Sequence, residues 1–209
     1  VVQVPKRIRK VKGEIQVRYS TKTYEKPLSM KEASDAFDVI RKERVKGKDY
    51  LRMLTYPSST LSVKQIQGIV EQYSKDGWDA DVVITDYADI LDEDAALPGS
   101  SDPRHKTNAS WSQQRKLSGS RHILYITATQ ADANSYEKET MTRSNFSNDK
   151  RKLAHVTGMF AINQTQVEKD KGVFRLNWVA LREGAYSEGQ TVAVAGNLSI
   201  GRPCITSCF

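Results

Sequence analysis

Residues 81–87 read Asp-Val-Val-Ile-Thr-Asp-Tyr, an apolar run too short for a helix and rich in β-branched side chains. Such a run predicts a strand buried on both faces, the habit of parallel sheets. Open parallel sheets carry their chemistry at the C-terminal ends of their strands. Asp86 stands at that end. A carboxylate there either holds a cation or a water, or it caps the following turn, and the strand alone leaves both open.

Around this strand the sequence alternates between helix and strand signals. Ser29-Met30-Lys31-Glu32 and Ser62-Val63-Lys64-Gln65 fit the capping box, in which a hydroxyl and a carboxyl or amide satisfy opposite orphan amides. Ala33, Ala36, Phe37 and Ile40 follow the first at helical spacing; Val63, Ile66, Ile69, Val70 and Tyr73 follow the second; Gly47 and Gly77 are the stops. A strand is predicted after each helix, over residues 50–55 and 81–86. A looser round follows: a helix over 109–117, a break at Ser118-Gly119-Ser120, and a strand over 122–129 closing on Gln130. This alternation predicts βαβ crossovers and an α/β fold with a mainly parallel sheet. Beyond residue 157 the predicted strands, 158–163, 172–181 and 191–198, have only turns between them, which predicts an antiparallel or mixed edge. The polar stretches 92–108 and 131–149 are predicted loops leaving the C-terminal ends of neighbouring parallel strands, where long loops commonly carry function.

With 209 residues, 38% hydrophobic and 27% charged, the chain suffices for one well-cored globular domain. Its apolar runs are strand-sized, far below the ~18 residues that span a bilayer. Residues 1–13 are basic and lack the apolar segment of a secretory signal. A cytoplasmic setting is expected. Cys204 and Cys208, with three scattered histidines, build neither a disulfide framework nor a four-ligand metal site, so two buried or idle thiols are expected.

The net charge of +7 favours an anionic partner, and its placement is uneven. Residues 1–26 hold eight Lys or Arg against Glu14 and Glu25, whereas residues 76–102 hold nine acids and no Lys or Arg. The chain therefore divides into a basic N-terminal arm, 1–26, and a core, 27–209. The arm is either a solvated extension or a contact for an anion. In and just after the second loop, Lys138, Arg143, Lys150, Arg151 and Lys152 mix with Tyr136 and Phe146, a combination suited to a nucleic-acid backbone. Asp132, Glu137, Glu139 and Asp149 leave that region a net charge of only +1.

Taken in order, a strand ending in DY, a parallel strand ending in TATQ, the segment DKRKLAHVTG and a hairpin carrying LREG resemble the C-terminal ATPase domain of DnaB-type replicative helicases, within the RecA-like class. The resemblance covers roughly residues 50–198 and leans toward phage-encoded relatives. It implies a RecA-like sheet flanked by helices. It also implies roles: Asp86 as the Walker B aspartate holding the magnesium of bound nucleotide through water, Gln130 as the sensor that reads the γ-phosphate, and Arg182 as an arginine finger reaching the nucleotide of an adjacent subunit. ATP and Mg2+ are the implied cofactors, and single-stranded DNA and a homo-oligomeric ring the implied partners. These residue types suit phosphoryl transfer, which asks a protein mainly for positioning and charge stabilisation.

The sequence also departs from that family. Its phosphate-binding loop and water-activating glutamate lie upstream, and this chain has neither; Gly47-Lys48 is followed by Asp49 and lacks the glycine five residues before. Ala180 stands where many relatives have a lysine. A valine at position 1 suggests a trimmed chain, so the expectation is a motor-domain fragment that is inactive by itself. Two other readings stand beside it. One is a non-catalytic DNA-binding or oligomerisation module derived from such an ATPase. The other is a two-metal nuclease built on Asp86, Asp89, Asp92 and Glu93.

Overall fold

The protein is described from a computed structural model, covering residues 1–44, 46, 48–92, 103–131, 135, 140–145, 151–187 and 189–209. Both predicted capping boxes form. Ser29 and Glu32 exchange hydrogen bonds of 2.8 and 3.2 Å at the start of α1, Met30–Arg44. Ser62 and Gln65 do the same at 2.8 and 3.3 Å for α2, Val63–Lys75. The strand read from residues 81–87 is β3, Val82–Thr85, and it pairs in parallel with β4, Leu124–Thr127. Between them runs α3, Pro103–Arg121, longer than the predicted helix and occupying part of the predicted loop. It ends where His122 takes a left-handed φ of 55°, so β4 starts later than the sequence suggests.

One core lies between these elements: Val63 and Ile66 of α2, Leu117 of α3 and Ile123, packed against Val83 and Tyr125. The same α3 reaches a second core through Trp111, which meets Met159, Ala161 and Val179 of a four-stranded antiparallel sheet. That sheet is β5, Gly158–Asn163; β6, Val173–Leu181; β7, Val192–Asn197; and β8, Arg202–Cys208, in that order. A short helix, α4, Lys152–His155, precedes β5, and α5, Gln166–Asp170, fills the β5–β6 connection.

Strand alternation puts Val82, Ile84, Leu124 and Ile126 on the face of the parallel pair away from α3. All four are exposed, as are Phe160, Ile162 and Trp178 on the corresponding side of the antiparallel sheet. Parallel sheets are normally covered on both faces.

The mainly parallel sheet is corrected to a single parallel pair beside a four-stranded antiparallel sheet. From residue 158 on, the connections are turns or a single short helix, which suit antiparallel pairing and are too short for a parallel crossover. The predicted strand over 50–55 is irregular, with Tyr50, Leu51 and Met53 exposed and no described strand paired to it. The solvated-extension reading of the arm is also corrected. Residues 2–22 form a hairpin of β1, Val2–Val11, and β2, Glu14–Lys22, joined by Lys12 and Gly13, both at positive φ. Its Ile8 is buried with Val173, Ala193 and Ala195; Tyr19 Oη donates to the Lys171 carbonyl at 2.6 Å, and Asn197 Nδ2 donates to that of Gln3 at 2.8 Å. The residue pattern does not signal β8, and Pro203 fits it because β8 is an edge. It leaves Cys204 exposed and Cys208 half-buried, both free thiols, so the pair is not buried as expected. Among the described residues no helix is long and apolar enough to cross a membrane.

One ion pair on this sheet gives a pH prediction. Glu168 caps α5 and accepts from Arg175 Nε at 2.6 Å, with both side chains almost enclosed. Burial pushes the Glu168 carboxyl up, but the Arg175 guanidinium and the Thr165 amide together hold it below the ordinary glutamate value of 4.5. Since the folded value is the lower one, the contribution is complete above the unfolded value and is lost as pH falls through the folded one. Arg175→Met is expected to cost about 2 kcal/mol near neutrality. It should also remove part of the stability loss below about pH 4.5, as read by urea denaturation across the acid range.

Candidate functional site

The tips of β3 and β4 stay together beyond the last ladder pair, Thr85 and Thr127. Thr127 Oγ1 donates to the Thr85 carbonyl at 3.0 Å, and the Ala88 amide donates to the Ala128 carbonyl at 3.2 Å. Gln130 Nε2 donates to Tyr87 Oη at 3.1 Å, which sets the Gln130 amide against the residue next to Asp86. Asp86 itself is exposed, and no described side chain or backbone donor meets its carboxylate. The structure thus brings Asp86 and Gln130 to adjoining strand tips.

The residue pattern does not reveal what lies behind them. A 3-10 turn over Ala88–Ile90 carries Asp89, which accepts from Thr129 Oγ1 at 2.6 Å and from Lys152 Nζ at 2.8 Å. Lys152 Nζ also donates to Thr129 Oγ1 at 2.9 Å and sits 5.8 Å from the Trp111 ring. The Lys152 side chain is 12% exposed and that of Asp89 23%, so the pair is shielded well enough for its charge to count. Lys152, expected to meet DNA, instead turns its ammonium inward to the strand tips.

Helix α4 ties this cluster to the hairpin arginine. Arg182 Nε donates to the Val156 carbonyl at 2.8 Å, and its Nη2 donates to the Ala154 carbonyl, so the guanidinium holds the C-terminal end of α4. His155 and Asn108 are 2.9 Å apart across α3 and α4, and Arg115 donates to the His155 carbonyl at 3.1 Å. Arg143 is likewise engaged within the chain, its Nε on the Val179 carbonyl at 3.1 Å and its Nη2 on Tyr186 Oη at 2.5 Å. Arg151 is half-buried just before α4. Lys138, Lys150, Tyr136, Phe146 and Glu93 lie outside the described residues.

A groove of about 250 Å³ runs along the other edge of β3, between α2 and residues 52–61. Asp86 closes one end, and Arg52, stacked 4.5 Å from the Tyr73 ring, stands among its other lining residues. Gln130 does not line it, so the groove is separate from the space between the strand tips. Among the described residues no three acids, histidines or cysteines converge on a metal position, and Asp89 is engaged by Lys152 and Thr129. The two-metal nuclease reading is therefore dropped.

By sequence, no family model and no curated protein matches the chain. By structure, it superposes on the solved ATPase domain of one DnaB-like replicative helicase with a TM-score of 0.56 at 13% identity, over 65% of this chain and 48% of that one. It superposes on a second DnaB-like replicative helicase, solved in work on its interactions with primase, with a TM-score of 0.58 at 12% identity, over 70% of this chain and 35% of that one. The fold resembles the ATPase domain of DnaB-like replicative helicases. The chain spans less than half of each of those two proteins.

Proposed function

We propose that this chain is the Walker B, sensor and hairpin portion of a RecA-like motor that couples ATP hydrolysis to movement along single-stranded DNA as a homo-oligomeric ring. The carrying observation is the meeting of Asp86 and Gln130 at adjoining parallel strand tips, in a fold that resembles such a domain. The bare apolar face of β3 and β4 supports a larger domain, because a parallel pair in isolation leaves half its side chains in water.

In this reading Asp86 offers an exposed hard-oxygen ligand with no protein donor competing for it, which suits Mg2+ that keeps most of its waters. When bound with ATP, the ion would neutralise charge on the phosphates. Gln130, oriented by Tyr87, presents an amide able to donate to a phosphate oxygen and accept from water. Arg182 anchors α4 within its own chain, and as a finger toward a neighbouring nucleotide it would have to leave the Ala154 and Val156 carbonyls.

The test joins this chain to a phosphate-binding loop and measures ATP hydrolysis stimulated by single-stranded DNA. Asp86→Ala is expected to lower turnover by about a hundredfold or more. Unchanged turnover would remove Asp86 from the site. DNA binding without nucleotide heat in calorimetry of the joined protein would favour the non-catalytic module.

A further inference from the structure

The hairpin carries a surface that the strand-tip site does not use. In its register Ile8 faces Val17 and turns inward to the sheet, so Arg7 and Arg18, directly opposite each other, point outward together with Arg9 and its partner Gln16. Lys6, Lys10 and Lys12 are exposed beside them. Among the described residues no carboxylate forms an ion pair with Lys6, Arg7, Lys10, Lys12 or Arg18. The one acid of the ribbon, Glu14, sits by the turn opposite Val11. Like charges directly opposite on neighbouring strands destabilise a sheet, and here they form its outward face. Arg9 is held along the ribbon by two contacts to Gln16 Oε1, at 3.3 and 3.1 Å, which fixes its guanidinium before any ligand arrives.

We infer that the outward face of the β1–β2 hairpin binds the phosphate backbone of duplex nucleic acid, with Arg7 and Arg18 bracketing a phosphate. Five unpaired cations on a rigid ribbon match a regularly spaced polyanion, and arginine forks suit phosphate oxygens. The duplex follows from what the face lacks. Single-strand binders stack bases on aromatic side chains, and the outward face has none; Tyr19 pairs with Pro5 on the inner side, its hydroxyl on Lys171. This site does not depend on the ATPase reading.

The experiment is fluorescence anisotropy of this chain with a labelled duplex of about two helical turns, and with one of its single strands, across a salt series. The duplex is expected to bind the more tightly. Arg7→Ala with Arg18→Ala should weaken it at least tenfold and reduce the steepness of the log–log salt dependence by about two. Arg18→Gln alone should reduce it by about one, and the double lysine variant should keep it. Lys150→Ala with Arg151→Ala, in the loop read as a DNA contact, should leave duplex binding near the original. An unchanged salt dependence in the double alanine variant, with its melting curve also unchanged, would overturn the inference. So would tighter binding of the single strand, or binding of a polyglutamate peptide with no affinity for the duplex.

Discussion

Gly196→Ala is expected to destabilise the protein by about 3 kcal/mol, a large share of the stability of a domain this size. Gly196 is buried in β7, where the register with β8 shifts between Ala195 and Asn197. A methyl group there would overlap the Pro203 carbonyl oxygen and carbon, far inside van der Waals contact, so β8 would have to move as backbone. On the other side the Gly196 amide donates to the Gly172 carbonyl at 2.9 Å, and a methyl on Gly172, at φ +62°, would meet the Gly196 oxygen at 2.7 Å. The two glycines let three segments of backbone approach one another. Displacing β8 also loosens the cover on Ala195 and Val173, both fully buried, and on the hairpin's Ile8. Urea denaturation should show a lower midpoint with an unchanged slope. A shift under about 0.5 kcal/mol would mean that β8 is not seated against Gly196.

That crowding shows where the sequence stops being informative. The capping boxes at Ser29 and Ser62 and the apolar run of β3 are local signals, and local physics is enough to read them. Strand β8 gives a weaker signal: Pro203 and two cysteines break its alternation, and only its place at the edge makes Pro203 tolerable. Residues 50–55 fail the other way, since their strand-like composition needs a neighbour to pair with and none is described there. At the candidate site Asp86 and Gln130 are legible because both end apolar strands. Asp89 is readable only as one more acid of a turn. Lys152 reads as part of a basic segment because its partner is 63 positions away in sequence, and no pattern of spacing reports a contact made by tertiary packing. Arg182 falls on the expected hairpin, yet its carbonyl partners belong to and follow a helix four residues long that the sequence does not signal.

The pairing of Lys152 with Asp89 carries the second large effect. Lys152→Met is expected to cost about 3 kcal/mol, because it leaves a shielded carboxylate without its cation. The Thr129 hydroxyl and the Gln130 backbone amide would remain as donors to Asp89, the latter at a long 3.4 Å. Asp89→Asn should cost somewhat less, since an amide can still accept from Lys152. A cycle of the two single variants and the double variant should return a coupling of about 2 kcal/mol. Lys64→Met, an exposed lysine on α2, should stay within about 0.5 kcal/mol and controls for loss of charge alone. The pair also joins the strand tips to α4, whose far end is held by Arg182, so loss of Lys152 should speed hydrogen exchange at Gln130 and at Arg182, whose amide donates to Thr157, before the global midpoint changes in proportion. A coupling near zero with unaltered exchange at both places would show that α4 and the strand tips are independent, and that Arg182 holds α4 for packing alone.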